Sequence, residues 1–278
     1  MPSRPSLRSV HSVTTVVILR IVTHRFPYLD TPTPIAFAHR GGAEPGDENT
    51  MAAFARAVAL GYRYVETDVR ATADGVAVVF HDSTLERLTG RAGRVADLSW
   101  ADLSTVRVAG SAAVPRLDEV LEEWPDVRFN VDVKHDGGTV PAVAAVRAAG
   151  AGDRVLLASF SDGRLARLRT LAGPAVATSL GTREVAALRV AALTGRRWRV
   201  PASAAAAQVP LRYGRLRVVN RRLVAQAHRL GLQVHVWTID DPVEMNALLD
   251  LGVDGIMTDR VDVLRDVYIS RGHWAEKR

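Results

Sequence analysis

Between Ile35 and Asp82 the chain sets two histidines, an Arg-Gly-Gly turn and a Glu-x-Asp pair at the ends of short apolar runs, as His39-Arg40-Gly41-Gly42, Glu66-Thr67-Asp68 and His81-Asp82. A strand that ends in such groups presents them to a pocket rather than to a core. Glu66 and Asp68 stand two residues apart, so on a strand both project from one face. Side by side the two carboxylates repel, which a divalent cation between them would relieve, and all-oxygen ligands favour Mg²⁺ or Ca²⁺ over zinc. Taken alone, the pair reads more simply as a solvated edge strand. Arg40 offers a planar fork suited to phosphate, and the glycines after it let the backbone approach a ligand. With His39 and His81 on different strands, one imidazole can take a proton from a nucleophile while the other gives one to a leaving oxygen. Further on, Asn130, Asp132 and Lys134 alternate with valines and share one strand face. Asp132 is a natural third metal ligand there, and Lys134 a partner for a phosphate oxygen. Together these groups point to metal-assisted chemistry on an anionic substrate.

Positioning them takes strands that end together. The candidate strands are Ile35–His39, Tyr64–Val69, Val76–His81, Arg128–Val133, Val155–Ser159, Ala175–Thr178, Ala206–Val209, Gln233–Trp237 and Gly255–Thr258. Helical spacing separates most of them, with Asn49 as a cap before Met51, and Gly231 and Gly252 where C-cap glycines belong. Alternating strands and helices imply a parallel sheet. Asp74-Gly75 is the signature of a two-residue hairpin turn, so Val76–His81 is an antiparallel excursion and eight barrel strands remain. In that register Ala73 pairs with Val76, and His81 faces Asp68. A Rossmann-type sheet competes, but no G-x-G-x-x-G follows the first strand. The expected fold is α/β, a distorted (β/α)₈ TIM barrel with a small insertion after the second strand, over about residues 70–115.

The 278 residues suffice for one such barrel. The absence of cysteine excludes disulfides, thiolate nucleophiles and Cys-ligated metals. A formal charge of +6 and a pI near 10.2 invite a nucleic-acid reading. The basic residues are nearly all arginine, however, and are scattered apart from concentrations at Arg196–Arg199 and Arg212–Arg222, which suit a solvated face or the steering of an anionic ligand. Residues 1–32 read as an extension outside the domain, because the apolar run Val13–Leu19 is cut short by Arg20 and no cleavage site follows. The barrel is expected over 33–270 and a tail over 271–278. With no membrane-spanning stretch, the expected location is cytoplasmic, without stable membrane insertion and without nucleic acid as partner.

These residues resemble the glycerophosphodiester phosphodiesterase family, whose pattern runs H-R-G, E-N-T, E-x-D, D-G, H-D. It stands here as His39-Arg40-Gly41, Glu48-Asn49-Thr50, Glu66-Thr67-Asp68, Asp74-Gly75 and His81-Asp82. The later N-x-E-x-K, H-x-W-T and G-x-x-T-D blocks are matched by Asn130–Lys134, His235–Thr238 and Gly255–Asp259. The resemblance implies hydrolysis of a small-molecule glycerophosphodiester to glycerol 3-phosphate and an alcohol. It also implies one divalent cation on Glu66, Asp68 and Asp132, and His39 and His81 as the acid/base pair. Arg40 and Lys134 would hold the phosphate and Trp237 would line the alcohol pocket. Two departures bear on this: Asp132 replaces the usual glutamate, one methylene shorter, and Ala43–Asp47 differs from the usual approach to E-N-T. A lysophospholipase D acting on lysophospholipids is the alternative within the same scaffold. A non-catalytic phosphate-ligand or nucleic-acid-binding barrel is the alternative of another class.

Overall fold

The structure, a computed structural model, describes residues 25–42, 46–196 and 198–274. Eight parallel strands form the barrel: β1 (Ile35–Ala38), β2 (Tyr64–Ala71), β3 (Arg128–Val133), β4 (Val155–Ala158), β5 (Ala177–Ser179), β6 (Ala204–Pro210), β7 (Gln233–Trp237) and β8 (Gly255–Thr258). They neighbour one another in chain order, and β1 pairs with both β8 and β2, which closes the ring. A helix closes each unit: α1 (Met51–Ala59), α2 (Leu117–Glu123), α3 (Thr139–Ala148), α4 (Asp162–Ala172), α5 (Thr182–Thr194), α6 (Arg221–Arg229), α7 (Pro242–Leu251) and α8 (Val261–Ser270). The expected barrel and its strand count are borne out.

Strand alternation sorts the core into two layers. Ile35, Phe37, Tyr64, Leu156, Ala158 and Met257 point into the barrel and pack together. Val65, Val69, Val131, Leu157, Val209 and Val236 point outward into the larger core beneath the helices. The foot of the inner layer is closed by a segment outside the expected domain. Phe26, Tyr28 and Leu29 are each at most 3% exposed and join the inner cluster, and the Tyr64 hydroxyl donates to the Tyr28 carbonyl at 2.5 Å. Burying such side chains stabilises by roughly 1.5–3 kcal/mol each. Residues 25–32 therefore belong to the packed domain and not to the extension expected up to 32; the rest of that extension, 1–24, lies outside the described residues. At the other end Trp274, within the expected tail, packs edge-on against Tyr62 with ring centroids 5.0 Å apart.

The insertion leaves the barrel after β2 and returns at α2, as expected. It holds a small core of its own, built around Phe80, Leu85, Leu88, Leu103 and Val108. Its first strand, Ala77–Val79, runs antiparallel to β2, but the register differs from the expected one by a residue. Val69 pairs with Val79, Arg70 with Val78 and Ala71 with Ala77. The loop has three residues, not two: Thr72 N–H donates to the Val76 carbonyl (3.0 Å), Thr72 Oγ1 to Asp74 Oδ1 (2.6 Å), and Gly75 takes the left-handed conformation at φ +83°. A turn followed by a left-handed glycine is the next most common hairpin connection, and the Thr72 hydroxyl favours it here. Asp68 consequently faces Phe80, whose N–H donates to the Asp68 carbonyl at 2.9 Å. His81 lies one place further on, beyond the paired strand.

Candidate active site

The strand ends converge on a cavity of about 190 Å³ at the C-terminal mouth of the barrel. His39, Arg40, Glu66, His81, Asp132, Lys134 and Trp237 all contribute to its wall. Asp68, fully buried, sits behind that wall. Parallel pairing of β2 with β3 makes Glu66 the neighbour of Asn130 and Asp68 the neighbour of Asp132, so three acids distant in sequence share one side of the cavity.

The turn after β1 is tightly built. Arg40, Gly41 and Gly42 all take positive φ, at 51°, 88° and 71°. A Cβ on Gly41 would lie 2.8 Å from Phe54 of α1, and one on Gly42 would lie 2.2 Å from Val261 of α8. What these glycines answer to is the packing of the turn against two helices, not close approach of a ligand. The Arg40 N–H donates to Glu66 Oε2 at 3.1 Å, which ties the turn to β2. Asn49, expected as a helix cap, has another role: Thr50 caps α1, its hydroxyl accepting from Ala53 N–H at 3.2 Å. Asn49, at φ 60°, donates from Nδ2 to Asp68 Oδ2 at 2.9 Å and accepts from the Thr67 hydroxyl at 2.8 Å. A non-glycine residue held in that conformation marks a position the surroundings enforce.

Each histidine is anchored through Nδ1 to a carboxylate. His39 Nδ1 lies 2.7 Å from Asp259 Oδ1, and His81 Nδ1 lies 2.7 Å from Asp82 Oδ1. A carboxylate only accepts, so the proton sits on Nδ1 and Nε2 remains to exchange protons in the cavity. His39 Nε2 stands 3.7 Å from Glu66 Oε2. Burial acts to lower the His39 pKa, but Glu66 and the bond to Asp259 outweigh it and hold the imidazole above its usual value. Behind His81, Asp82 accepts from Arg87 Nε at 2.5 Å, Arg87 grips Glu48 with both terminal nitrogens (2.9 and 2.7 Å), and Glu48 accepts from Arg40 at 2.8 Å. Burial opposes ionisation of Asp82, but the hydrogen bonds from Arg87 and His81 prevail and its pKa falls to about 2.

The acid cluster is short of positive charge. Burial, then the neighbouring Asp68, push the Glu66 carboxyl up to about 7, against the pull of His39 and Lys134. Burial likewise raises Asp132 despite Lys134, whereas in Asp68 Lys134 and Arg40 overcome burial and lower the pKa. Lys134 Nζ stands between the two aspartates, 2.6 Å from Asp68 Oδ1 and 2.6 Å from Asp132 Oδ2, and only the second contact is aligned as a hydrogen bond. Asp132 Oδ1 is buried with no hydrogen-bond partner. Among the described residues no three acids or histidines are spaced to hold a metal ion as they stand. The donor chemistry nevertheless fits a hard divalent cation: three buried carboxylates, of which Glu66 has its pKa raised to about 7 and Asp68 and Asp132 each keep an Oδ1 without a hydrogen-bond partner. At present the Lys134 ammonium fills the gap between two of them.

Two contributors, Phe160 and Arg87, were outside the residues singled out from sequence. Phe160, 56% exposed, stacks edge-on with Trp237 at 5.4 Å and forms the apolar rim. Arg87 comes from the insertion, where no local pattern marks it. Beneath the site a polar layer crosses the barrel: Gln208 Nε2 donates to Asn130 Oδ1 (2.8 Å) and lies 3.3 Å from His235 Nδ1, and His235 Nε2 lies 2.9 Å from Gln233 Oε1. His235 is fully buried, and burial lowers its pKa to about 3. A depressed histidine stabilises the fold above its unfolded pKa near 6.5 and loses that stabilisation as pH falls toward the folded value. Between pH 7 and 4.5 this group alone is expected to cost about 2–3 kcal/mol. In urea melts at the two pH values, His235→Phe should lose that much less than the unsubstituted protein; equal losses would refute the assignment.

The family profile described as "Glycerophosphoryl diester phosphodiesterase family" matches residues 39–263. A Mycobacterium tuberculosis protein named "Probable glycerophosphodiester phosphodiesterase 2" is 42% identical over 244 residues, covering 86% of this chain and 92% of its own length. The mouse protein "Lysophospholipase D GDPD1" is 25% identical over 264 residues, covering 82% and 84%. Among solved structures, a glycerophosphodiester phosphodiesterase from Agrobacterium tumefaciens superposes with a TM-score of 0.69 at 26% identity, over 84% of this chain and 99% of its own. An Oleispira antarctica phosphodiesterase in complex with sn-glycerol-3-phosphate shares the fold, with a TM-score of 0.71 at 21% identity over 85% of this chain and 97% of its own. The match runs through the blocks that carry His39, Glu66, Asp68, His81, Asp132 and Lys134, and it sets aside a non-catalytic barrel: the chain is an enzyme of the glycerophosphoryl diester phosphodiesterase family.

Proposed function

We propose that this enzyme hydrolyses a glycerophosphodiester to glycerol 3-phosphate and an alcohol with the help of one divalent cation and the two histidines. The observation that carries the reading is the pair of imidazoles in one cavity wall, each oriented by a carboxylate at 2.7 Å, beside Arg40 and Lys134. Glu66, Asp68 and Asp132 would hold the cation, Mg²⁺ or Ca²⁺. When bound it supplies charge that polarises the phosphoryl group and lowers the pKa of an attacking oxygen. The rest of the work falls to the chain. Arg40 and Lys134 neutralise the phosphate, Lys134 passing from the aspartates to the substrate. One imidazole takes the proton of the nucleophile, water or the adjacent glycerol hydroxyl, and the other protonates the departing alcohol. Release of choline from glycerophosphocholine, measured with added metal and with EDTA, tests the reading. Turnover unaffected by EDTA would remove the cation from it.

A lipid substrate is the second reading, favoured by one feature. Phe160, Leu180, Trp237 and Met257 are the large apolar side chains of the cavity lining, and Phe160, 56% exposed, stands at its rim. Trp237→Ala is expected to raise KM about tenfold for the preferred substrate with kcat little changed, because the ring binds substrate and transition state alike. Comparing glycerophosphocholine with lysophosphatidylcholine decides between the readings. If Phe160→Ala slows only the lysophospholipid, the lipid reading stands; if it slows neither, the rim has no part in recognition.

No helix among the described residues is long and apolar enough to cross a membrane.

A further inference from the structure

The arginines of this chain are unevenly placed. Residues 182–222 hold ten of the 36 basic residues but one of the 30 acidic ones, Glu184, so this segment carries more than the chain's whole formal charge of +6. Glu184 is itself spent on Arg169, at 2.6 Å. Among the described residues of the segment, no arginine pairs with a carboxylate.

Toward the end of this segment a small hairpin follows β6 directly and so stands on the face of the barrel that carries the cavity. Arg212 pairs with Arg217 and Tyr213 with Leu216, around Gly214-Arg215. All six residues are exposed, Tyr213 at 79% and Leu216 at 53%. Cross-strand partners share a face, so Tyr213 and Leu216 make one apolar side of the hairpin and Arg212 and Arg217 the other. Arg189 of α5 donates to the carbonyls of Arg217 and Val218 (3.2 and 3.4 Å), which brings another cation to the base. None of these side chains lines the cavity.

We propose that this hairpin docks the enzyme peripherally on an anionic lipid surface, with Tyr213 and Leu216 in the headgroup layer and the surrounding arginines on the lipid charges. Charge complementarity selects an anionic partner, and the apolar side selects a membrane over a nucleic acid. A tyrosine ring is at home at the membrane–water boundary, and an exposed leucine beside it gains from burial there, whereas neither phosphate nor base recognition uses it. Docked this way, the enzyme turns the cavity mouth toward the bilayer.

Vesicle flotation of the full chain tests this without reference to catalysis. The protein should float with vesicles of equal parts phosphatidylcholine and phosphatidylglycerol, stay behind with phosphatidylcholine alone, and be released by salt. Each arginine near such a surface contributes about fivefold to partitioning, so Arg212→Ser with Arg215→Ser should lower it roughly thirtyfold. Tyr213→Ser with Leu216→Ser should also lower it, at unchanged salt dependence. Both double variants should melt as the unsubstituted protein does and turn over glycerophosphocholine at its rate. Absence of binding to the anionic vesicles, equal partitioning of the double variants, or preference for duplex DNA over the vesicles would each overturn the proposal.

Discussion

His39→Ala and His81→Ala are each expected to lower kcat on glycerophosphocholine by about 10²–10⁴, the range for losing a positioned general acid or base. KM should change much less, since on the proposed reading Arg40 and Lys134, not the histidines, hold the phosphate. The expectation rests on geometry common to both residues. A carboxylate at 2.7 Å holds each Nδ1, which fixes the ring and leaves Nε2 as the exchanging atom. The two arms differ in their support. Asp259 comes from the end of β8, so His39 is oriented by the closure of the barrel itself. Asp82 is oriented by Arg87 of the insertion, which also reaches Glu48 and through it Arg40. Arg87→Ala should therefore depress kcat through His81 by a smaller factor, about tenfold, while Arg87→Lys restores only part because it cannot fork between two carboxylates. Undiminished turnover in both histidine variants would sink the acid/base assignment. A full effect in one alone would reduce it to a single catalytic imidazole.

Lys134→Ala should change stability and metal response together. Burial opposes the charge on Lys134, but Asp132 and Asp68 outweigh it and raise its pKa above the ordinary lysine value. A cation with a raised folded pKa contributes its full stabilisation below the unfolded value near 10.4, hence throughout the neutral range. Removing it leaves buried carboxylates uncompensated, a change that commonly costs about 3–5 kcal/mol, or roughly 10 °C in melting temperature for a chain of this size. In EDTA the variant should melt lower by that order. Adding Mg²⁺ or Ca²⁺ should then raise its melting temperature more than that of the unsubstituted protein, because no ammonium competes for Asp68 and Asp132. Turnover should fall as well if Lys134 neutralises the phosphate as proposed. If neither protein responds to a divalent cation, the three acids do not hold one. If the variant melts unchanged in EDTA, the ammonium is not what holds them in place.

Much of this was legible in local sequence because it depends on local rules. Period-two alternation placed Glu66 with Asp68, and Asn130 with Asp132 and Lys134, on common strand faces. The strand–helix rhythm and the excess antiparallel strand together specified a barrel with an insertion. The error in strand pairing came where one residue of turn geometry decides a register. Asp74-Gly75 is compatible with two- and three-residue loops, and the Thr72 hydroxyl tips the balance to the longer one. His81 still reaches the cavity, but by leaving the strand rather than by facing Asp68 across it.

Residue types and strand periodicity by themselves determined the barrel, the excursion after its second strand and the set of groups at its mouth, because each follows from interactions within a few residues. Tertiary structure alone decided what those groups do to one another. Parallel pairing of β2 with β3 set Asp132 beside Asp68, barrel closure brought Asp259 to His39, and the insertion folded Arg87 onto Asp82. Residues 25–29, polar and apolar mixed in sequence, became the floor of the barrel for the same reason. Such contacts join segments tens to hundreds of residues apart, and in a buried site it is these distances that set whether a carboxyl is charged, which nitrogen of an imidazole is free, and where an ammonium rests.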